Sequence, residues 1–571
     1  MKRYLLASLV LATLGCGADR RFAARDPFSV DTDLRSVSVP CRKDPTEKDK
    51  AHVSCAPREY VSPIIWDGAD NLVFRPFAEL WALKPSREAM NVNSLDEVPD
   101  SSWFTNRTGP HALAPDELTR GACKPAQILD WQHAPDGSWL VDHGKTDGSS
   151  PGFRVTVNGK KYLLKADDDP PERPSAASVV GAAVYNATGF NTSCEQVVYV
   201  KRSVFKLKPG LMFKGNFDAP RPFDQTALDA ILKKAAPKGD LLRFQASAWI
   251  DGKLLGPFRY AGTRKDDPND IIPHEERREL RGGRILAAWI DHFDAREQNS
   301  MDAWIADGHG APDASPGKVI HYYLDTSDAL GSAWAWEEIT RRLGYSYVFD
   351  WVDMGRDFVT LGLPLRPWDR VEKVQGQEMF TYFDVEHFVP SQWKNEYSNP
   401  SFSRMTERDA AWMARILSRF TREDVRAIAG MAAFTEPANT EYLGEVLEGR
   451  LEKILSRYLT RLSPLGDVHL EGGDNLCATD FALRRQVRDP ASFRFEAAVG
   501  QTPVPVRLRD ASVCLALPHV AADGGSPDGD PSRYIDVTVT DGVARGPLVA
   551  HLYDLGPARG FVLAGLDRPL P

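Results

Sequence analysis

Apolar and polar positions alternate with a period of two in three short runs of the chain. Trp139-Leu140-Val141, Phe153 to Val157 and Tyr162-Leu163-Leu164-Lys165 each read as a half-buried strand. Asn158-Gly159, between the second and third, is a strong hairpin signal because both residue types accept positive φ. Gly144 to Gly152, GKTDGSSPG, is a glycine-rich turn between the first and second. Ser175 to Thr188 predicts a helix of small residues closed by Gly189, followed by strands over Glu195 to Val200 and Phe244 to Ile250. The run from Phe244 turns at Asp251-Gly252 into Leu254 to Phe258, and we read it as the last strand of this sheet and the hinge out of it.

The period then changes. Pro273 starts a predicted helix with Glu275 and Glu276 favourably placed in its first turn. Its residues Leu280, Ile285, Leu286, Trp289, Ile290 and Phe293 make one buried face. Met301 to Ala306 and Val319 to Leu324 form a hairpin. Further helices are expected over Thr406 to Phe420, after the N-cap Thr421, and over Glu441 to Leu462. From Pro464 the chain returns to short alternating strands such as Arg533 to Val539, the texture of a small β-sandwich.

The fold class is therefore α+β, with a β-rich lobe over 136–265, a helical lobe over 266–465 and an all-β domain over 466–571. Ahead of these lie a signal peptide over 1–15, a polar tether over 16–60 and an aromatic-rich extension over 61–135, in which Trp103 and Phe104 anchor an irregular loop. The charged loop Thr263 to Asp270 lacks the ligand spacing of an EF-hand and is expected to be solvated.

Composition narrows the class. The 571 residues carry a net charge of −9 and show no Lys/Arg cluster interleaved with aromatics, which speaks against nucleic acid as a partner. Lys2 and Arg3 precede an apolar run, Tyr4 to Leu14, that is too short to span a bilayer. The run ends in Thr13-Leu14-Gly15-Cys16, which resembles a bacterial lipoprotein processing box. That resemblance implies a lipid anchor on Cys16 and a place in the bacterial cell envelope, and Gly17 in place of Asp favours the outer membrane. Of the seven cysteines, six remain once Cys16 is set aside. An even number suits an exported chain with three disulfides. Cys41 with Cys55 and Cys477 with Cys514 are plausible local pairs, which leaves Cys123 with Cys194.

One constellation carries chemistry. His292-Phe293-Asp294-Ala295-Arg296-Glu297-Gln298-Asn299 places an Asn five positions after an Asp, and Asp325 closes the apolar run Tyr322-Tyr323-Leu324. Upstream, the order strand, glycine-rich turn, strand, hairpin and a third strand with Lys165 near its end precedes this set. Together these features resemble the protein-kinase layout, with Phe293 where the H-R-D-x-x-x-x-N loop has Arg. Asn299 and Asp325 are 26 positions apart (325 − 299), and Thr326-Ser327 stand where ordinary kinases carry Phe-Gly. The pattern is therefore more similar to atypical groups: HipA-type, CotH and secretory-pathway kinases.

The resemblance implies a two-lobed kinase-like core. Asp294 would act as base and Arg296 would steady the transferred phosphoryl. Lys165, Gly148, Ser149 and Gly152 would bind ATP, and Asn299 and Asp325 would hold Mg2+. The partners it implies are a nucleotide and a hydroxyl-bearing acceptor, and it leaves the oligomeric state open. The helical acid that pairs with the strand lysine in kinases is replaced by Ser178, and the nearest acid is Glu172. Two alternatives stand beside this reading: a catalytically inactive kinase-fold surface lipoprotein that binds or scaffolds, and a metal-dependent hydrolase built on His292, Asp294, His321 and Asp325.

Overall fold

The computed structural model describes residues 22–23, 31–43, 52–81, 88–108, 113–145, 150–167, 170–213, 221–308, 310–332, 334, 336–523 and 531–570. The signal segment, Cys16, Gly148 and Ser149 lie outside them. The mixed α+β class is observed. Among the described residues no helix is long and apolar enough to cross a membrane.

A seven-stranded sheet holds the three alternating runs side by side. Trp139–Gly144, Gly152–Val157 and Lys160–Ala166 are adjacent, and Leu241–Ala248 follows on the far side of Lys160–Ala166. Glu195–Lys201 pairs antiparallel with Leu241–Ala248. Asn158 and Gly159 both take positive φ in the predicted hairpin (49° and 77°), the geometry that their residue types permit. The inner face of the sheet closes over Trp139, Val155, Leu164, Val198 and Phe244. The Leu254 to Phe258 run does not extend this sheet. Lys253–Leu254 instead pairs with Ser300–Ala306, in a four-stranded sheet that also holds Gly317–Tyr323 and Asn191–Thr192.

The helix Arg173–Thr188 is buried nearly all round. Its small residues allow close approach, most tightly at Gly181, where an added Cβ would lie 2.3 Å from Thr326 Oγ1.

Below the sheet, Arg278–Ile290, Glu407–Leu417, Arg422–Gly430 and Pro437–Tyr458 form a helical core around Trp289, Trp412, Leu447 and Leu451. Thr406 and Thr421 cap their helices reciprocally with Asp409 and Asp424. The helix expected from Pro273 begins as a single tight turn, His274–Glu276, and becomes α-helical only at Arg278. It is also buried on more than its apolar face, because Arg277, Arg278 and Arg281 are enclosed and paired. Arg277 meets Asp31 at 3.0 Å and Asp33 at 3.4 Å. Arg278 meets Asp96 at 2.6 Å and Asp409 at 3.3 Å, and Arg281 pairs with Glu276. Asp96 also receives Arg415 at 3.3 Å and Arg568.

Two expectations are corrected by these contacts. Where it is described, the 16–60 segment is no free tether, since Asp31 and Asp33 reach the buried Arg277 and both Val39 and Ala56 are enclosed. The Thr263 to Asp270 loop is only partly solvated. Asp267, Asn269 and Asp270 are buried, and Asp270 meets His274 at 2.7 Å.

The C-terminal strands form a four-stranded and a five-stranded sheet that share a core of Leu476, Val513, Val537 and Leu552. All three proposed cysteine pairs are bonded, Cys41–Cys55, Cys123–Cys194 and Cys477–Cys514. Disulfides of this kind are characteristic of oxidising compartments outside the cytoplasm.

Two predictions follow from the buried charges. Asp96→Ala leaves three enclosed guanidinium groups short of their carboxylate and is expected to cost about 3–5 kcal/mol, read as a fall in Cm on urea unfolding. In the C-terminal domain, burial and then the neighbouring Asp541 push the Asp480 carboxyl up to about 7. A raised carboxyl contributes stability below its unfolded pKa and loses it as the pH climbs through about 7. Asp541→Asn removes the repulsion, so its Tm relative to the unaltered protein should rise between about pH 4 and about pH 7. A difference that stays flat with pH would show that Asp541 does not raise Asp480.

Candidate functional site

Lys165 ends the third run of the sheet, opposite Gly152 on one neighbour and Gln245 on the other. Its Nζ lies 2.7 Å from Asp325 Oδ2, and the Lys165 side chain is 8% exposed against 36% for Asp325. Burial alone would lower the lysine pKa, but Asp325 outweighs it and holds the ammonium above its ordinary value. The same attraction keeps the Asp325 carboxyl well below the usual carboxylate range, against the effect of its own burial. Asp325 lies just beyond the strand Gly317–Tyr323, with φ of 40°, a left-handed conformation that Asp tolerates better than most residues. Ser327 Oγ donates to Asp325 Oδ1 at 2.6 Å.

The pair lies in the wall of a cleft of about 430 Å3. Its lining mixes polar residues, among them His143, Lys145, Glu195 and Gln245, with the apolar Leu163, Ile250, Leu254 and Met301. Arg154 sits over the Trp249 ring at 5.3 Å, and both line the cleft.

The helix Arg278–Ile290 delivers the second half of the set. Asp291 ends it in the left-handed region (φ 55°), with its Oδ1 accepting from Trp393 Nε1 at 2.7 Å. His292 is buried and meets the Tyr185 hydroxyl through Nδ1 at 3.0 Å. Asn299 Nδ2 donates to Asp294 Oδ2 at 2.6 Å and to the Asp294 carbonyl at 2.9 Å. Asp294 Oδ1 lies 3.3 Å from His292 Nε2 but out of line for a hydrogen bond, and both atoms are buried with no hydrogen-bond partner among the described residues. Arg296 pairs with Glu396 at 2.9 Å, and burial pushes the Glu396 carboxyl up to about 7 in spite of that arginine.

Two acids escaped the sequence reading. Glu195 opens the strand beside Leu241–Ala248 and lines the cleft with Lys165, whose positive charge it supports. It accepts from Ser193 at 2.5 Å, Gln245 at 2.9 Å and Ser247 at 2.6 Å. An acid thus supports the Lys165 charge from a strand, whereas the helix offers Ser178. The acid's strand, Glu195–Lys201, also carries Gln196 and Lys201, so no local signal in the sequence singles it out. Asp328 is the second. Burial, then the charges of Asp294 and Asp325, push its carboxyl up to about 6, so it belongs to the same electrostatic cluster.

Thr326, in the position of the kinase Phe, donates to the Ala177 carbonyl at 3.1 Å and is enclosed by the small-residue helix. Gly152 has a packing reason to lack a side chain, because an added Cβ would lie 2.5 Å from the Leu164 carbonyl oxygen. The hydrolase set is not assembled. His321 is committed to Asp302 at 2.5 Å and stacks on Trp103 at 3.5 Å. Among the described residues, the set of three His, Cys, Asp or Glu ligand atoms that does converge is Glu471 with Cys477 and Cys514, whose sulfurs are joined in a disulfide.

The Lys165–Asp325 pair is open to a chemical test. Asp325→Asn removes the charge that raises the lysine, so Lys165 should acylate several-fold faster at about pH 8. Peptide mass spectrometry after pulse labelling reads the rate, and an unchanged rate would show that the ion pair does not form in solution.

No family model matches the chain, and no curated protein does. Among solved structures, the chain is similar to a Helicobacter pylori proinflammatory kinase, CtkA, at 9% identity and a TM-score of 0.29, over 55% of this chain and 94% of that one.

Proposed function

We propose that the chain is an ATP- and magnesium-dependent phosphotransferase, held at the bacterial cell envelope by a lipid on Cys16, with a two-lobed kinase-like core. The observation that carries this reading is the 2.7 Å contact between Lys165 and Asp325 in a cleft of about 430 Å3, residues 160 positions apart in the chain (325 − 165). Lys165 binds the phosphates, and the apolar residues of the lining receive the adenine. The donors suit magnesium, a hard cation that takes carboxylate and amide oxygens. Asp325 supplies carboxylate oxygens, and Asn299, whose Nδ2 is used on Asp294, has its amide oxygen to offer. Bound there, the ion would neutralise charge on the phosphates. The acceptor hydroxyl oxygen attacks the γ-phosphorus, the bond to the β,γ-bridging oxygen breaks with its electron pair leaving on ADP, and the hydroxyl proton passes to Asp294. Asn299 orients the Asp294 carboxylate through Oδ2. Glu195 positions Lys165 in place of the absent helical acid.

One observation favours the inactive-scaffold alternative. Lys165 and Ser327 between them engage both oxygens of Asp325, so a cation would share each oxygen with a protein donor. A thermal shift with Mg-ATP on the full chain in detergent separates the two. A stabilisation that is absent from Asp325→Ala and Lys165→Met is expected for the phosphotransferase. No shift in the unaltered protein would leave the scaffold reading.

A further inference from the structure

A second cavity, of about 200 Å3, adjoins the loop that carries Asp294. Arg296 and Glu297 line it, whereas the next residue, Gln298, lines the larger cleft. Consecutive positions of one loop therefore face two cavities. The far wall is the segment around Trp66 to Arg75, docked on the loop through Gln298 Nε2, which donates to Asp67 Oδ2 at 2.7 Å and to Ser62 Oγ at 2.9 Å.

The lining specifies a ligand chemistry. Three guanidinium groups, of Arg75, Arg259 and Arg296, face three carboxylates, of Asp67, Asp70 and Glu297. The balance is neutral, so no surplus charge selects an anion or a cation. Guanidinium groups only donate and carboxylates only accept, so a lining that mixes the two suits groups that both give and accept hydrogen bonds, as hydroxyls do. Flat aromatic surface is also present. Trp66, 62% exposed, lines the cavity with Tyr60 and Tyr397. The volume falls below the about 300–1,000 Å3 of sites for drug-sized ligands.

We propose that this cavity seats the phosphate acceptor, a neutral polyhydroxylated ring of monosaccharide size, stacked against Trp66 and hydrogen-bonded by Arg75 and Glu297. The word acceptor rests on the phosphotransfer reading, but the binding site does not.

Saturation-transfer NMR and titration with N-acetylglucosamine and with methyl glucoside test the proposal, on the full chain in a detergent without sugar headgroups. Binding of at least one sugar is expected, weakened about tenfold by Trp66→Ala and by Arg75→Gln, roughly the loss of one good contact each. Trp66 is exposed enough for its truncation to leave the fold intact, and Arg75→Gln guards against the chance of misfolding. Lys165→Met should leave sugar binding unchanged. Failure of both sugars to bind, or binding that neither cavity substitution alters, overturns the proposal. Sugar binding in a chain that shows no Mg-ATP shift upholds the cavity and sinks the phosphotransfer reading alone.

Discussion

Three buried arginines at the start of one helix organise this molecule. Arg277, Arg278 and Arg281 would be prohibitively costly to enclose without carboxylates, and the acids that satisfy them come from distant parts of the chain. Asp31 and Asp33 arrive from the N-terminal segment, Asp96 from the loop ahead of Trp103, and Asp409 from a later helix. Arg568, near the C-terminus, joins through Asp96. Distant segments are thus tied to a single helix by charge as well as by apolar packing. That helix ends at Asp291 and hands the chain to His292, Asp294 and Asn299.

A second lock brings the sheet to the helical core. Arg243, fully buried on the central strand, reaches Asp167 at 3.2 Å, Ser175 at 2.8 Å and the carbonyls of Ala432 and Ala433, both at 2.6 Å. With the sheet held there, Lys165 can meet Asp325 across the cleft. Thr326 serves the same end: a small, hydrogen-bonding residue fits against Gly181, where a phenylalanine ring would not. The departure from the kinase pattern at Thr326 and the small-residue composition of the neighbouring helix are therefore one packing solution.

Much of the secondary structure was legible because its signals are local. The period-two runs, Asn158-Gly159, and the caps at Thr406 and Thr421 each specify backbone geometry within a few residues. The long helix was read as Glu441 to Leu462 and spans Pro437–Tyr458, an offset of one turn at each end. Misreadings fell where charge is buried. The Thr263 to Asp270 loop and the described part of the 16–60 segment are polar and look solvated, yet each is partly enclosed by partners far away in sequence. Glu195 was passed over for the same reason: nothing local distinguishes a carboxylate that will face a lysine from one that will face water.

By itself the sequence determined the element types, the order of the candidate residues, the change of texture near Pro464 and an even complement of cysteines for three bonds. These depend on periodicity, on turn chemistry and on counting. Only the tertiary structure decided that Lys165 touches Asp325, that Glu195 shares their cleft, that His321 belongs to a buried aromatic cluster, and that the loop from Asp294 to Asn299 faces two cavities. Those facts depend on which distant charges share a low-dielectric space, and the energy of such a pairing is a property of the assembled fold.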